Sequence, residues 1–136
     1  MLAVVRGAAM RLFNKARRKE IWDEPFEAPI GDIEAAKRIR EICNSAADSA
    51  EKVGAAADRT HKKIKGEVER YERAARAAME IAMNVSDELL RDAAVHEIVG
   101  LCLKAGNVTT AQTLFRAIQS RSIRDDVLRE HPQLQQ

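Results

Sequence analysis

Residues 36–81, AKRIREICNSAADSAEKVGAAADRTHKKIKGEVERYERAARAAMEI, carry small or apolar side chains on a strict three-four alternation. The positions are Ala36, Ile39, Cys43, Ala46, Ala50, Val53, Ala57, Thr60, Ile64, Glu67, Tyr71, Ala74, Ala78 and Ile81. Glu67 breaks the apolar rule, Thr60 bends it, and no proline interrupts the run. A spacing averaging about 3.5 residues keeps one stripe of a helix facing a partner, the condition for coiled-coil packing. A helix cannot cover its own stripe, so the identity of the cover is the functional question.

Asp32 is placed to cap this helix, because a short side-chain oxygen there accepts a free amide of the first turn. From Ile33 the pattern predicts one helix to about Asn84, roughly 75 Å at about 1.5 Å per residue. Gly54 and Gly66 are its weak points, each costing about 1 kcal/mol relative to alanine. The alternative is a hairpin turn between Val53 and Arg59. Three alanines directly after Gly54 favour continuity, since alanine is the best helix former. The stripe residues Ile39, Cys43, Ala46, Ala50, Val53, Ala57, Ile64 and Tyr71 then form an expected partner interface, within a homo-oligomer or with another helical protein. The competing cover is intramolecular, from the C-terminal helices and the segment around Trp22. Helices of roughly 25 Å span only part of a stripe of roughly 75 Å, by the same rise per residue, and that mismatch favours a partner.

Upstream lie two blocks of opposite charge. Residues 1–19 contain Arg6, Arg11, Lys15, Arg17, Arg18 and Lys19 and no acid; residues 20–32 contain Glu20, Asp23, Glu24, Glu27 and Asp32 and no base. Such asymmetry says more than the formal net charge of +2. The first block reads as a short amphipathic helix with Val5, Ala9, Leu12, Phe13 and Ala16 on one face. Its six cations form a candidate surface for anionic membrane or nucleic acid, each worth roughly 1 kcal/mol near a charged bilayer. Neutralisation by the acidic block that follows is the opposing reading. Pro25 and Pro29 make residues 20–32 an extended linker. Trp22, the only tryptophan, recurs with Phe26 and Ile30 at every fourth position, so this linker is expected to pack along another helix.

Downstream, Ser86 with Asp87 and Glu88 opens a helix to about Lys104, with Leu89, Leu90, Ala93, Ala94, Ile98, Leu101 and Cys102 expected inward. Gly106-Asn107 ends it in a left-handed exit. Thr109 or Thr110 starts the next helix, carrying Ala111, Leu114, Phe115 and Ile118. Ser120 to Ser122 divides it from a last helix with Ile123, Val127 and Leu128. Ile98 and Cys102, the turn at Gly106, and Ala111 and Phe115 make residues 92–128 resemble a single tetratricopeptide-like helical hairpin. That resemblance implies two antiparallel helices crossing at a small residue; the family's peptide groove takes several such units.

The expected class is all-α: a basic N-terminal helix over 1–19, a linker over 20–32, and a helical domain over 33–136. That domain comprises a long helix over 33–84 and a C-terminal hairpin plus short last helix within 87–131. Aromatic residues make up only 4%, so alanine-mediated close helix packing, not a thick core, suits the composition.

Chemistry is sparse. His61, His96 and His131 lack a second histidine or cysteine at the i+3 or i+4 spacing of a helical metal site. Asp92 and His96 stand four apart with no neighbouring nucleophile, and read as a surface contact in preference to a catalytic dyad. Cys43 and Cys102 have no activating neighbour and read as buried thiols. Neither catalytic, metal-ligating nor cofactor-binding residues are assigned, and no small-molecule substrate is expected. No run reaches the roughly 20 apolar residues of a membrane span. Arg6 and Arg11 interrupt any secretory signal core, and the Arg-rich start lacks the serines and threonines of a mitochondrial presequence. Two cysteines in a chain of this length need no disulfide, so a reducing cytoplasm is the expected compartment, with a targeting role for the Arg-rich, acid-free start as the alternative. The functional expectation is a non-enzymatic interaction or scaffold protein, with surface binding through residues 1–19 as the alternative.

Overall fold

In the computed structural model, which describes residues 20–23, 30–57 and 62–135, all regular structure is helical. A 3-10 turn at Ile21–Asp23 precedes α1 (Asp32–Ala55), α2 (Lys62–Met83), α3 (Glu88–Lys104), α4 (Val108–Ala117) and α5 (Arg121–Glu130). A second 3-10 turn, Pro132–Leu134, follows α5.

The single long helix expected over 33–84 is instead two. α1 ends at Ala55, and Ala56 turns to extended backbone with φ −75° and ψ 131°. The helices run antiparallel. Asp32 at the start of α1 meets Ser86 and Asp87 just past the end of α2, whereas Ser49 meets Arg70 and Lys52 meets Glu67 near the other end. The reason is energetic. Helix propensity distinguishes alanine from ordinary residues by at most about 0.7 kcal/mol per position. Folding the stripe back on itself removes a row of apolar side chains from water, each larger one worth about 1.5–3 kcal/mol. Burial outweighs local preference.

The stripe is therefore covered from within. Ile39, Ala46, Ala50, Ala74 and Ala78 are fully buried, and Cys43, Val53, Tyr71 and Ile81 nearly so. Ala36, Ile64 and Glu67 are half-buried and Ala57 is exposed, while Thr60 lies outside the described residues. The proposed partner seam thus faces this chain's own helices over most of its length, and it reaches solvent in its middle, at Ala57, where α1 has ended. α1 buries a face wide enough for two neighbours, adding Ala35, Ile42 and Ser49 to the stripe.

The second neighbour is α3, which lies parallel to α1: Asp87 adjoins Asp32, and Lys104 reaches Glu51 at 3.7 Å. Asp92, Ala94, Val95, Ile98, Val99, Leu101 and Cys102 are all buried, positions that cover roughly half of the α3 circumference at about 3.6 residues per turn. A face that wide meets several neighbours, and α3 packs against α1, α2, α4 and α5. Leu89 and Ala93, expected inward, are exposed. At its C-terminal end α3 approaches α1 closely: a Cβ on Gly54 would stand 2.1 Å from the Lys104 carbonyl oxygen. Gly54 is the last residue but one of α1, so it serves helix contact just before the break that the Val53–Arg59 alternative anticipates.

The caps differ from the sequence reading, by one residue at α1 and α3 and by two or three at α4. Gly31 precedes α1 without a side-chain cap bond. Asp32 instead accepts the Ser86 and Asp87 amides at 3.0 and 2.8 Å, pinning the α2–α3 junction. Asp87 caps α3 by accepting from Leu90 N, and Asn107 caps α4 by accepting from Thr110 N. The α3–α4 hairpin has the expected form. Gly106 sits at φ 73°, where a side chain would be strained, and Ile98, Cys102, Ala111 and Phe115 are buried.

Candidate functional site

The described residues carry two groups of interacting polar side chains that tie separate parts of the chain together. The first is where residues 20–23 dock on the α1–α2 pair. Arg70 on α2 donates from Nε and Nη2 to the two Glu20 carboxylate oxygens at 2.8 and 3.2 Å, and from Nη1 to Ser49 Oγ on α1 at 2.8 Å. Its Cζ lies 5.0 Å from the centroid of the Trp22 ring. One turn along α2, Arg73 pairs with Asp23, and Arg38 on α1 donates to the Ile21 carbonyl at 3.5 Å. A fork-on-carboxylate contact is among the stronger and more directional ion pairs. The hydrogen bond to Glu20 holds the Arg70 guanidinium protonated even more firmly than usual.

Trp22 is only 8% exposed, in agreement with the expectation that the segment packs along a helix, and its buried Nε1 has no hydrogen-bond partner among the described residues. The acidic block is engaged as well. Glu20 and Asp23 face α2 arginines and Asp32 accepts two backbone amides, so three of its five carboxylates serve the bundle. The amide bonds also hold the Asp32 carboxyl below the ordinary carboxylate range. Arg70 and Arg73 are site residues that the sequence pattern does not name. Their spacing of three along one helix face, with acids about 50 residues upstream, was the signal available.

The second group lines a cleft of about 340 Å³ where α1, α3 and the end of α5 meet, with Cys43, Asn44, His96, Glu97, Lys104, Glu130 and His131 on its walls. Glu130 Oε2 stands 3.0 Å from His96 Nε2 and 3.8 Å from His131 Nε2. The pairing anticipated for His96 with Asp92 is absent. The buried Asp92 carboxylate accepts the Gln119 and Ser120 amides at 3.0 and 2.8 Å, closing the corner between α4 and α5. Burial pushes the Cys43 thiol up to about 12, with Glu97 and Cys102 adding to it, so it stays protonated at neutral pH and is a poor nucleophile. Burial also raises Cys102. Desolvation lowers His131, and the neighbouring His96 and Lys104 add to this against the opposing pull of Glu130. Among the described residues, no three His, Cys, Asp or Glu side chains converge with the geometry to hold a metal ion.

Ile33, Met83 and Leu89 are exposed large apolar residues at the bundle end where Asp32 meets the α2–α3 junction. No helix among the described residues is long and apolar enough to cross a membrane. The surface candidates Arg6, Arg11, Lys15, Arg17, Arg18 and Lys19 lie outside the described residues. Comparison with models of known protein families, with curated proteins and with solved structures returned no match. The likeness of residues 92–128 to a tetratricopeptide hairpin accordingly stands on its own residues and on the α3–α4 geometry.

Proposed function

We propose that this is a non-enzymatic binding protein in which the helical bundle anchors residues 1–19, and that these residues engage an anionic lipid surface. The observation that carries the reading is the engagement of Glu20, Asp23 and Asp32 with the bundle. The acids nearest in sequence were the main intramolecular competitors for the six cations. With three of the five already paired, the balance shifts toward an external anion. Covering of the stripe by α2 and α3 weakens the rival reading, in which that stripe recruits a partner. Lipid is favoured over nucleic acid because Val5, Leu12 and Phe13 give residues 1–19 an apolar face, and Phe13 is the single aromatic among the bases, too few for a platform that stacks successive nucleobases.

The test is co-sedimentation of the full chain with phosphatidylcholine vesicles with or without about 30% phosphatidylserine, at about 0.1 M salt. Binding should require the anionic lipid, weaken steeply with added salt, and vanish when Arg6, Arg11, Lys15, Arg17, Arg18 and Lys19 are all replaced by glutamine. Binding that survives those replacements, or no binding to anionic vesicles, overturns the reading. Salt-sensitive binding of a short RNA without vesicle binding would transfer it to nucleic acid.

A further inference from the structure

The docked segment Glu20–Asp23 is built as a separable piece. Its described amide hydrogen bonds stay within it: the Asp23 amide donates to the Glu20 carbonyl at 3.0 Å, and the Glu20 amide to Asp23 Oδ2 at 3.1 Å. What joins it to the bundle is side-chain chemistry. Arg70 and Arg73 hold its carboxylates, Arg38 reaches the Ile21 carbonyl, and Trp22 fills the groove under Arg70. The ligand half of the site lies within residues 20–23 and the receptor half within residues 38–73. Six residues that include Pro25 and Pro29 separate Asp23 from Ile30 in sequence. A short element attached at a chain edge through a few side chains opens far more readily than the core.

We propose that the α1–α2 groove closed by Glu20–Asp23 also accepts the same segment from a second copy of the chain, so that two molecules exchange these segments. The contact chemistry is identical in either arrangement, and such exchange is a low-cost route to a dimer because no new interface has to be created. The occupant follows from charge complementarity and shape already present: two carboxylates at the spacing of two arginines, with an indole between them. Exchange would also place two copies of residues 1–19 on one particle, although the inference does not rest on what those residues bind.

Charge reversal in two full-length variants tests it. E20R/D23R has a segment unfit for its own groove, and R70E/R73E has a groove unfit for its own segment, yet each complements the other. Trp22 is the sole tryptophan, so its emission reports docking directly. Each variant alone should retain helix content by circular dichroism, show red-shifted emission, and sediment as a monomer of 15.2 kDa. An equimolar mixture should recover blue-shifted emission and sediment at twice that mass. The quadruple variant E20R/D23R/R70E/R73E should recover the emission on its own and shows that the charge pairs hold the segment. A mixture whose emission is the average of its components and that stays monomeric overturns the proposal. So does a quadruple variant with exposed Trp22, or a double variant that keeps the wild-type emission.

Discussion

Gly54 and Gly66 are equivalent in the sequence, each a weak point in an alanine-rich run, yet their surroundings differ completely. Nothing lies within 4 Å of a Cβ built on Gly66, whereas one on Gly54 meets the Lys104 carbonyl at 2.1 Å. Gly66→Ala should therefore stabilise the protein by up to about 1 kcal/mol through helix propensity. Gly54→Ala gains the same local preference but must push α3 away, since the obstructing atom is backbone. A net loss of about 1–3 kcal/mol is expected. Urea denaturation of both variants checks this, and a stabilised Gly54→Ala would show that the α1–α3 approach is not close. The contrast also marks what the sequence conceals. Local helix cost is written at each glycine, but the contact comes from a helix 50 residues away, and a one-dimensional pattern does not carry that separation. Asp92 shows the same limit: its partners are backbone amides at the α4–α5 corner, and amides leave no trace in residue identity.

At the scale of elements, ends proved less legible than faces. The buried positions of the α3–α4 hairpin and the glycine at its turn follow from spacing and from the need for a positive φ. Caps shifted by one to three residues because Ser86, Asp87 and Asn107 stand among other competent oxygens, and tertiary geometry selects among them. α5 is attached to the bundle at its start by Asp92 and at its end by Glu130 with His96 and by the buried Leu134. The His131 imidazole beside this end has a lowered pKa, chiefly from desolvation. The unfolded chain then binds a proton more readily than the folded one, so stability contributed here is present above the ordinary histidine pKa of about 6.5 and declines as pH falls below it. His131→Gln should remove this component. Melting temperatures measured from pH 7.5 down to pH 5 should fall more for the wild type than for the variant, with the difference appearing below about pH 6.5. Parallel curves would mean that His131 titrates alike in both states.

For the whole molecule, the three-four stripe identified the correct face and left its cover open. All-helical character and most of the buried set were readable because periodicity records which side chains leave water. Whether a stripe is covered by another chain or by its own continuation depends on one break in the helix. At that break, between Ala55 and Lys62, propensity and burial point in opposite directions. Glutamate substitutions separate the two outcomes. Ala50 is fully buried between α1 and its neighbours, whereas Ala57, on the same stripe, is exposed beyond the end of α1. Glutamate at 50 would bury a charge with no room for water, a cost on the order of 3 kcal/mol or more, while at 57 it should leave stability nearly unchanged. For a stripe covered within the chain, Ala50→Glu must lower the melting temperature of the monomer, and the loss must not depend on protein concentration. A stripe closed by a second chain would respond with dissociation, and dilution would deepen the effect. A calorimetric melt of each variant at two concentrations distinguishes these cases. A concentration-dependent loss for Ala50→Glu would return the stripe to the role of an intermolecular seam.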